Sequence, residues 1–181
     1  MSSNSLIFVW LDKRMGYLPG GNEKLKDKFR KILSPLRQFD KPTACYDFLQ
    51  DSTKDKKVFF LTTNIFAEED FLRQIALLKS VHFIYIYDQE NKPFTTNDKN
   101  LLEKMGSKRL IHFDEILYEQ LIYDLIQLYK NQAEQLVKDK QNKEAKQLFE
   151  YSLQLIDTVE EHNQDLQTIQ QDLFEKIQQI K

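Results

Sequence analysis

The sequence predicts an α/β domain built on a parallel sheet, followed by a helical extension that begins near Asp114. Two observations lead to this prediction. Up to Asp114, short apolar runs rich in β-branched and aromatic residues alternate with segments whose apolar residues recur at helical spacing. From Asp114 onward the chain contains no Gly and no Pro, and its apolar residues keep a period of about 3.6 residues.

Four apolar runs are predicted to be buried strands, because apolar residues occupy both of their faces. They are residues 5–12 (SLIFVWLD), 57–63 (KVFFLTT), 81–88 (VHFIYIYD) and 109–113 (RLIHF). Residues 43–49 (TACYDFL) form a weaker segment, which is either a short edge strand or the start of a helix. With that segment counted as a strand, the sheet has five.

Three helices are predicted between these strands. The first runs from the cap residue Asn22 to about Phe39, and Pro35 ends or kinks it. The second is expected over Asn64–Ser80, where apolar residues recur at helical spacing. The third is a short helix over Thr95–Met105, which Gly106 closes.

The alternation of strands and helices with short connections implies right-handed crossovers between parallel strands. We therefore predict a doubly wound, flavodoxin-like sheet of five strands in the order 2-1-3-4-5, with a three-helix extension after it. The α/β domain is assigned to residues 1–128 and the extension to residues 129–181. A dinucleotide-binding Rossmann domain fits less well, because the glycines of the loop Lys13–Gly21 do not follow the spacing G-x-G-x-x-G.

The composition is typical of a folded protein in a reducing compartment. Hydrophobic residues make up 41% of the sequence, and 13 Phe with 8 Tyr argue against disorder. Cys45 is the single cysteine, so no internal disulfide can form. No apolar run approaches the roughly 18 residues that span a bilayer. We expect a soluble, cytoplasmic protein that does not bind membranes.

Charge is distributed unevenly along the chain. Residues 1–113 carry 19 Lys and Arg against 14 Asp and Glu, whereas residues 114–181 carry 7 against 14. The two parts could attract each other within one molecule or between two, or they are solvated faces of different composition. Nucleic acid is not an expected partner, because the basic residues are interleaved with acidic ones.

The α/β part resembles a response-regulator receiver domain over roughly residues 5–130. In that family, two acids after the first strand hold Mg²⁺, an Asp at the end of the third strand is phosphorylated, and a Ser or Thr ends the fourth. Here Lys13 follows Asp12, Thr62 and Thr63 end the third strand, and Asp88 ends the fourth. The resemblance therefore implies a pseudo-receiver that is not an enzyme and does not accept phosphate.

Four polar residues are nevertheless expected at one edge of the sheet. Asp12, Thr62, Thr63 and Asp88 follow or end neighbouring strands, at the switch point where ligands bind in open α/β sheets. They could hold a small ligand, a nucleotide or a hydrated cation, although Lys13 would weaken cation binding. The alternative interpretation is that each acid caps a neighbouring loop or helix and meets solvent.

No catalytic or metal-binding motif is found elsewhere in the sequence. Cys45 and the histidines His82, His112 and His162 are not accompanied by a nucleophile–base pattern. His82 and His112 lie inside apolar strands and are interpreted as hydrogen-bonded core or edge residues. We expect no catalytic residue, no metal ligand and no cofactor.

The helical part resembles a single tetratricopeptide (TPR) repeat over residues 129–157. The repeat places aromatic, small and large residues at set intervals, so that two helices pack closely. Gln132 and Asp157 depart from its pattern, and an unrelated helical hairpin is the alternative. The matching positions are Tyr129, Ala133, Leu136, Ala145, Phe149 and Ser152.

A third helix is predicted from about Asp157 or Glu160 onward. Its apolar residues recur at intervals of three and four, which gives a narrow stripe. This stripe either packs against the hairpin or forms an interface with a partner or a second copy. It consists of Leu166, Ile169, Leu173 and Ile177.

The function expected from these features is non-catalytic protein–protein interaction or scaffolding through the helical part. The alternative is a small-ligand or nucleotide-binding regulatory domain that uses the edge of the sheet. The pairing of the two parts also resembles the N-terminal portion of animal multidomain proteins that carry mono-ADP-ribosyltransferase or TPR modules. No transferase motif lies within these 181 residues.

Overall fold

The chain divides into two compact units, Ser2–Tyr118 and Glu119–Lys181. The predicted helix cap Asn22, most of the loop that follows the first strand, and His162 lie outside the described residues. The computed structural model describes residues 6–13, 23–88, 94–106, 109–159 and 164–180.

The helices and strands follow one another in the predicted alternation. The first unit contains β1 (Leu6–Leu11), α1 (Glu23–Ile32), β2 (Leu36–Phe39), α2 (Pro42–Ser52), β3 (Lys57–Thr63), α3 (Glu69–Leu77), β4 (Val81–Tyr87), α4 (Lys99–Met105) and β5 (Leu110–Ile111). The helix α5 (Asp114–Lys138) runs from the first unit into the second, which continues with α6 (Asn142–Ile156) and α7 (Gln164–Gln179).

The five strands form one parallel sheet in the order β2-β1-β3-β4-β5, which confirms the predicted fold class. Three helices follow the sheet, also as predicted. Leu11 lies beside Thr62 in the register of β1 and β3, and Thr63 lies beside Tyr87 in that of β3 and β4. The carboxyl ends of these three strands therefore meet at one edge of the sheet.

The second strand is where the sequence prediction was wrong. Residues 36–39 are predicted to end the first helix, but they form β2. Residues 43–49 lie inside α2, which is the helical one of the two alternatives given for that segment. The edge of β1 holds β2 in place, because Phe8 N donates to Pro35 O at 3.0 Å and Asp12 N donates to Phe39 O at 2.9 Å. These long-range hydrogen bonds decide between strand and helix.

One face of the sheet, named here the Ile7 face, packs against α2, α3 and α4. Its core includes Cys45 and Leu49 from α2, Leu72 and Ile75 from α3, and Leu101 from α4. These helix residues form one buried cluster with alternate residues of the strands. The apolar strand residues of this cluster are Ile7, Val9, Leu11, Val58, Phe60, Val81, Ile84 and Ile86.

The opposite face, named here the Trp10 face, is rich in aromatic rings because the intervening strand residues point to it. Neighbouring ring centroids are 4.9 Å apart between Phe8 and Phe59, and 4.8 Å apart between Phe59 and Phe83. The Arg109 guanidinium lies 4.4 Å from the centre of the Phe83 ring. Ring pairs and cation–π contacts of this kind stabilise the Trp10 face beyond what the burial of the rings alone contributes.

The other helices begin and end near the predicted residues. Asn64–Phe66 form a short 3₁₀ turn before α3, so that helix is shorter than predicted. The Asp98 carboxylate accepts from Leu101 N at 2.9 Å and caps α4. Gly106 ends α4 with a φ of 57°, which a residue without Cβ adopts easily.

The described residues of the second unit form helices joined by short turns. A short polar turn over residues 139–141 joins α5 to α6, and the Tyr129 ring of α5 contacts the Tyr151 ring of α6 at 5.3 Å between centroids. The Lys130 ammonium lies 2.6 Å from the Asp172 carboxylate, which links α5 to α7. No helix among the described residues has both the length and the apolar character needed to cross a membrane.

Candidate functional site

The four polar residues predicted at the sheet edge all lie at the carboxyl ends of adjacent strands. Asp12 follows β1, Thr62 and Thr63 end β3, and Asp88 follows β4. All four side chains are buried, with Asp12 5% and Thr63 4% exposed. The main-chain hydrogen bonds between β4 and β5 continue past the end of β4, because Asp88 N donates to Ile111 O at 2.8 Å. The acids are therefore set into the sheet edge.

The register of the strands separates these four residues into two pairs. Thr62 lies beside Leu11 and Ile86, so it belongs to the Ile7 face, and strand alternation places Asp88 on that same face. Asp12 and Thr63 belong to the Trp10 face. The sheet thus brings Asp12 and Thr63 together and puts the other two residues on its opposite side.

The Asp12–Thr63 pair has further polar neighbours on the Trp10 face. Tyr87 lies beside Thr63, and its hydroxyl donates a hydrogen bond to the Asp114 carboxylate at the start of α5. Burial raises the pKa of Asp114, and the hydrogen bond from Tyr87 opposes that increase. The Thr63 hydroxyl oxygen is buried, and none of the described residues forms a hydrogen bond with it.

The other titratable residues of the first unit have structural surroundings. His82 Nδ1 lies 3.0 Å from Ser80 O and His112 Nδ1 lies 2.7 Å from Asp88 O, so each ring is held by a main-chain carbonyl. Burial raises the pKa of the Cys45 thiol to about 12. Within the described parts of the chain, no three His, Cys, Asp or Glu side chains come together as a metal site.

The six positions of the TPR-like pattern lie on α5 and α6. Ala133, Ala145, Phe149 and Ser152 are buried, whereas Leu136 and Tyr129 are partly buried. The Ser152 hydroxyl donates to Leu148 O at 2.9 Å, so this buried polar group is satisfied. Burial, together with the nearby Tyr151, raises the pKa of Tyr129 to about 12.

The predicted stripe of α7 is largely covered in the structure. Leu166, Ile169 and Leu173 are buried, and Ile177 is partly buried. This burial corresponds to intramolecular packing, one of the two roles expected for the stripe. Binding of a partner through the stripe stays a prediction, since α7 would have to move first. The large apolar side chain that α7 exposes is a different one, Phe174 at 46%.

A groove that the sequence did not reveal lies where α5 ends, α6 begins and α7 ends. Its volume is about 490 Å³, within the roughly 300–1,000 Å³ typical of ligand sites. Leu136 and Val137 are neighbours on α5 that point in different directions, so Leu136 is partly buried whereas Val137 is exposed at the groove. The α5–α7 groove is lined by Glu134, Val137, Lys138, Asn142, Phe149, Lys176, Gln179 and Ile180.

The two candidate sites offer different chemistry. The Asp12–Thr63 pair is polar and buried in the sheet edge. The α5–α7 groove is open, and apolar and charged side chains line it together.

Comparisons of the chain with protein families, with curated proteins and with solved structures found no match.

Proposed function

We propose that this protein is a non-catalytic interaction module that binds a segment of another protein in the α5–α7 groove. The observation that carries the proposal is Val137, an apolar side chain left 38% exposed inside a concave site. Covering an apolar side chain is favourable by about 25 cal/mol for each Å² removed from water. A partner that places an apolar side chain against Val137 gains that free energy.

The helices around the groove are held together before any partner arrives. Ala133 and Ala145 are fully buried, which allows close packing of α5 and α6. Lys176 Nζ lies 2.9 Å from Glu134 Oε1, so α7 is fixed to α5 at the groove itself. A preformed site loses less conformational entropy on binding than one that must first be ordered.

The non-catalytic part of the proposal is supported by the sheet edge. A receiver-like nucleophile would have to be a carboxylate where Thr62 and Thr63 stand, and a neutral hydroxyl needs a general base to react comparably. We therefore propose a pseudo-receiver domain joined to a TPR-like hairpin. We expect it to act in the cytoplasm, where a single unpaired cysteine such as Cys45 is usual.

The test is a selection from a random peptide display library on the immobilised full chain. Enriched peptides are then measured against two variants, Val137→Ser and the matched control Phe174→Ser, which changes an exposed apolar residue outside the groove lining. We expect Val137→Ser to abolish binding and Phe174→Ser to preserve it. No enrichment, or binding that does not depend on Val137, would rule the proposal out.

A second candidate function is the binding of a small regulatory ligand at the Asp12–Thr63 pair. The observation that favours it is the buried Thr63 hydroxyl, which has no hydrogen-bond partner within the part of the chain that the structure describes. A buried unsatisfied polar group costs roughly 1–3 kcal/mol, and a ligand could supply the missing bond. The pair also lies at the switch point between β1 and β3, where open α/β sheets bind ligands.

Thermal-shift measurements with Mg²⁺ and common nucleotides test this second function. A ligand at about 100 times its dissociation constant adds roughly 2.7 kcal/mol of stability. We expect a shift for the wild-type chain and none for Thr63→Val, which keeps the shape of the side chain but removes its hydroxyl. Equal shifts in both chains, or none with any of these ligands, would eliminate it.

A further inference from the structure

We infer that the α5–α7 groove takes an acidic segment that carries a large apolar side chain. This inference rests on the proposed function, because it names the chemistry of the partner that the groove would bind. It follows from the distribution of charge around the groove and from the side chains that form its floor.

The tip of the hairpin beside the groove is basic, although the rest of its unit is acidic. Residues 138–146 hold four lysines against two acids, whereas the remainder of residues 119–181 holds three basic and ten acidic residues. All four of these lysines are exposed. They are Lys138, Lys140, Lys143 and Lys146.

The two lysines that line the groove differ in how their charges are balanced. Lys176 Nζ lies 2.9 Å from Glu134 and 3.9 Å from Asp172, and the hydrogen bond to Glu134 raises its pKa. Lys138 is exposed at the end of α5, and it has no ion pair with any residue that the structure describes. The groove thus presents one uncompensated positive charge, with three more lysines nearby.

Complementary charge at a surface of this kind accelerates encounter and selects against partners of the same sign. An acidic residue placed beside Lys138 satisfies that charge without disturbing the pair between Lys176 and Glu134. A basic partner would be repelled by the same lysines. The charge of the groove therefore selects an acidic segment.

The floor of the groove determines the apolar part of the partner. Val137, Phe149 and Ile180 line it, and the volume of about 490 Å³ can enclose a bulky side chain. Asn142 and Gln179 stand among them and can exchange hydrogen bonds with a peptide main chain. A large apolar side chain flanked by acids meets all of these features.

Fluorescence anisotropy with three short labelled peptides of equal length tests the inference on the full chain. One peptide combines Leu with Glu, the second Leu with Lys, and the third Ser with Glu. We expect the Leu/Glu peptide to bind at least about tenfold more tightly than either of the others, a difference of roughly 1.4 kcal/mol. We also expect its affinity to fall as salt is raised, because exposed charges are screened.

Two charge-reversal variants locate the effect. Lys138→Glu should weaken the Leu/Glu peptide about tenfold, whereas Lys146→Glu, on the same tip but outside the groove lining, should change it much less. If the Leu/Lys peptide binds as tightly in a Val137-dependent manner, the groove remains a partner site but the acidic inference is wrong. If no peptide binds and the library selection also fails, the proposed function falls with it.

Discussion

At the scale of single residues, two buried threonines of the first unit show how differently this fold treats the same side chain. The Thr53 hydroxyl lies 2.6 Å from Leu49 O and 2.9 Å from the Ser80 hydroxyl, so its polar atom is fully used. The Thr63 hydroxyl has no such partner among the described residues. Buried polar groups are usually satisfied, so the hydroxyl of Thr63 calls for an explanation that Thr53 does not.

The single cysteine gives a direct test of burial. Cys45 is fully buried, and burial raises its pKa to about 12, so the thiol stays protonated and shielded from solvent at pH 8. We expect native protein not to react with an aromatic disulfide reagent at pH 8, and one thiol per chain to react after unfolding in urea. Fast reaction of the native chain would show that α2 opens readily.

Phosphate transfer is the second test at this scale. We expect no covalent phosphate after incubation with acetyl phosphate and Mg²⁺, because hydroxyls stand at Thr62 and Thr63 where a carboxylate nucleophile would be required. Asp88 adds negative charge at the same edge, which disfavours an incoming phosphate. Measurement of the intact mass of the protein shows whether a phosphate has been added. A stoichiometric gain that Thr63→Ala abolishes would restore a signalling function.

At the scale of helices and strands, the sequence predicted best those elements that are buried on both sides. The residues of β1, β3 and β4 are apolar on both faces, and that pattern is visible in the chain itself. The strand β2 was missed because it lies at the sheet edge, where Arg37 and Gln38 are exposed and no apolar pattern forms. Its hydrogen bonds to β1 depend on residues far away in the sequence.

The candidate sites, like the strands, could be predicted only where a pattern in the sequence itself indicates them. Sequence alone placed Asp12 and Thr63 at strand ends, because the strands were assigned correctly. It could not show that the register puts Thr62 and Asp88 on the other face of the sheet. The α5–α7 groove was out of reach, since its shape arises from three helices that meet only after packing.

The packing of α7 gives a prediction with an internal control. Leu173 is fully buried, so Leu173→Ala should lower the free energy of unfolding by about 2–5 kcal/mol through lost burial and the cavity left behind. Its neighbour Phe174 is 46% exposed, and Phe174→Ala should cost less than about 1 kcal/mol. Urea unfolding curves, recorded by far-UV circular dichroism, give the free energy of unfolding of both variants. Equal losses would contradict the docking of α7 described here.

At the scale of the whole molecule, the boundary between the two units falls inside a helix. The sequence predicted this boundary after residue 128, where the TPR-like pattern begins. In the structure, the two compact units separate after Tyr118. Both positions lie within α5, whose 25 residues contain no Gly or Pro.

Removal of α7 tests whether the second unit depends on it. A chain ended after Asp157 lacks Leu166, Ile169 and Leu173, so the surfaces that these side chains cover become exposed. We expect the full chain to be monomeric by light scattering and the shortened chain to self-associate, because large exposed apolar patches promote association. A stable monomer in both cases would show that α7 is neither a docking helix nor a dimer element.

The Trp10 face of the sheet provides an intrinsic fluorescence signal for the unfolding of the first unit. Trp10 is the only tryptophan in the sequence, and its indole is buried on the Trp10 face of the first unit. Emission excited at the red edge of the spectrum therefore comes from one ring in one unit, whereas far-UV ellipticity is dominated by the helices of both. Coincident unfolding curves from the two signals would mean that the two units unfold in one transition. Separate curves would give each unit its own transition, measurable without any added label.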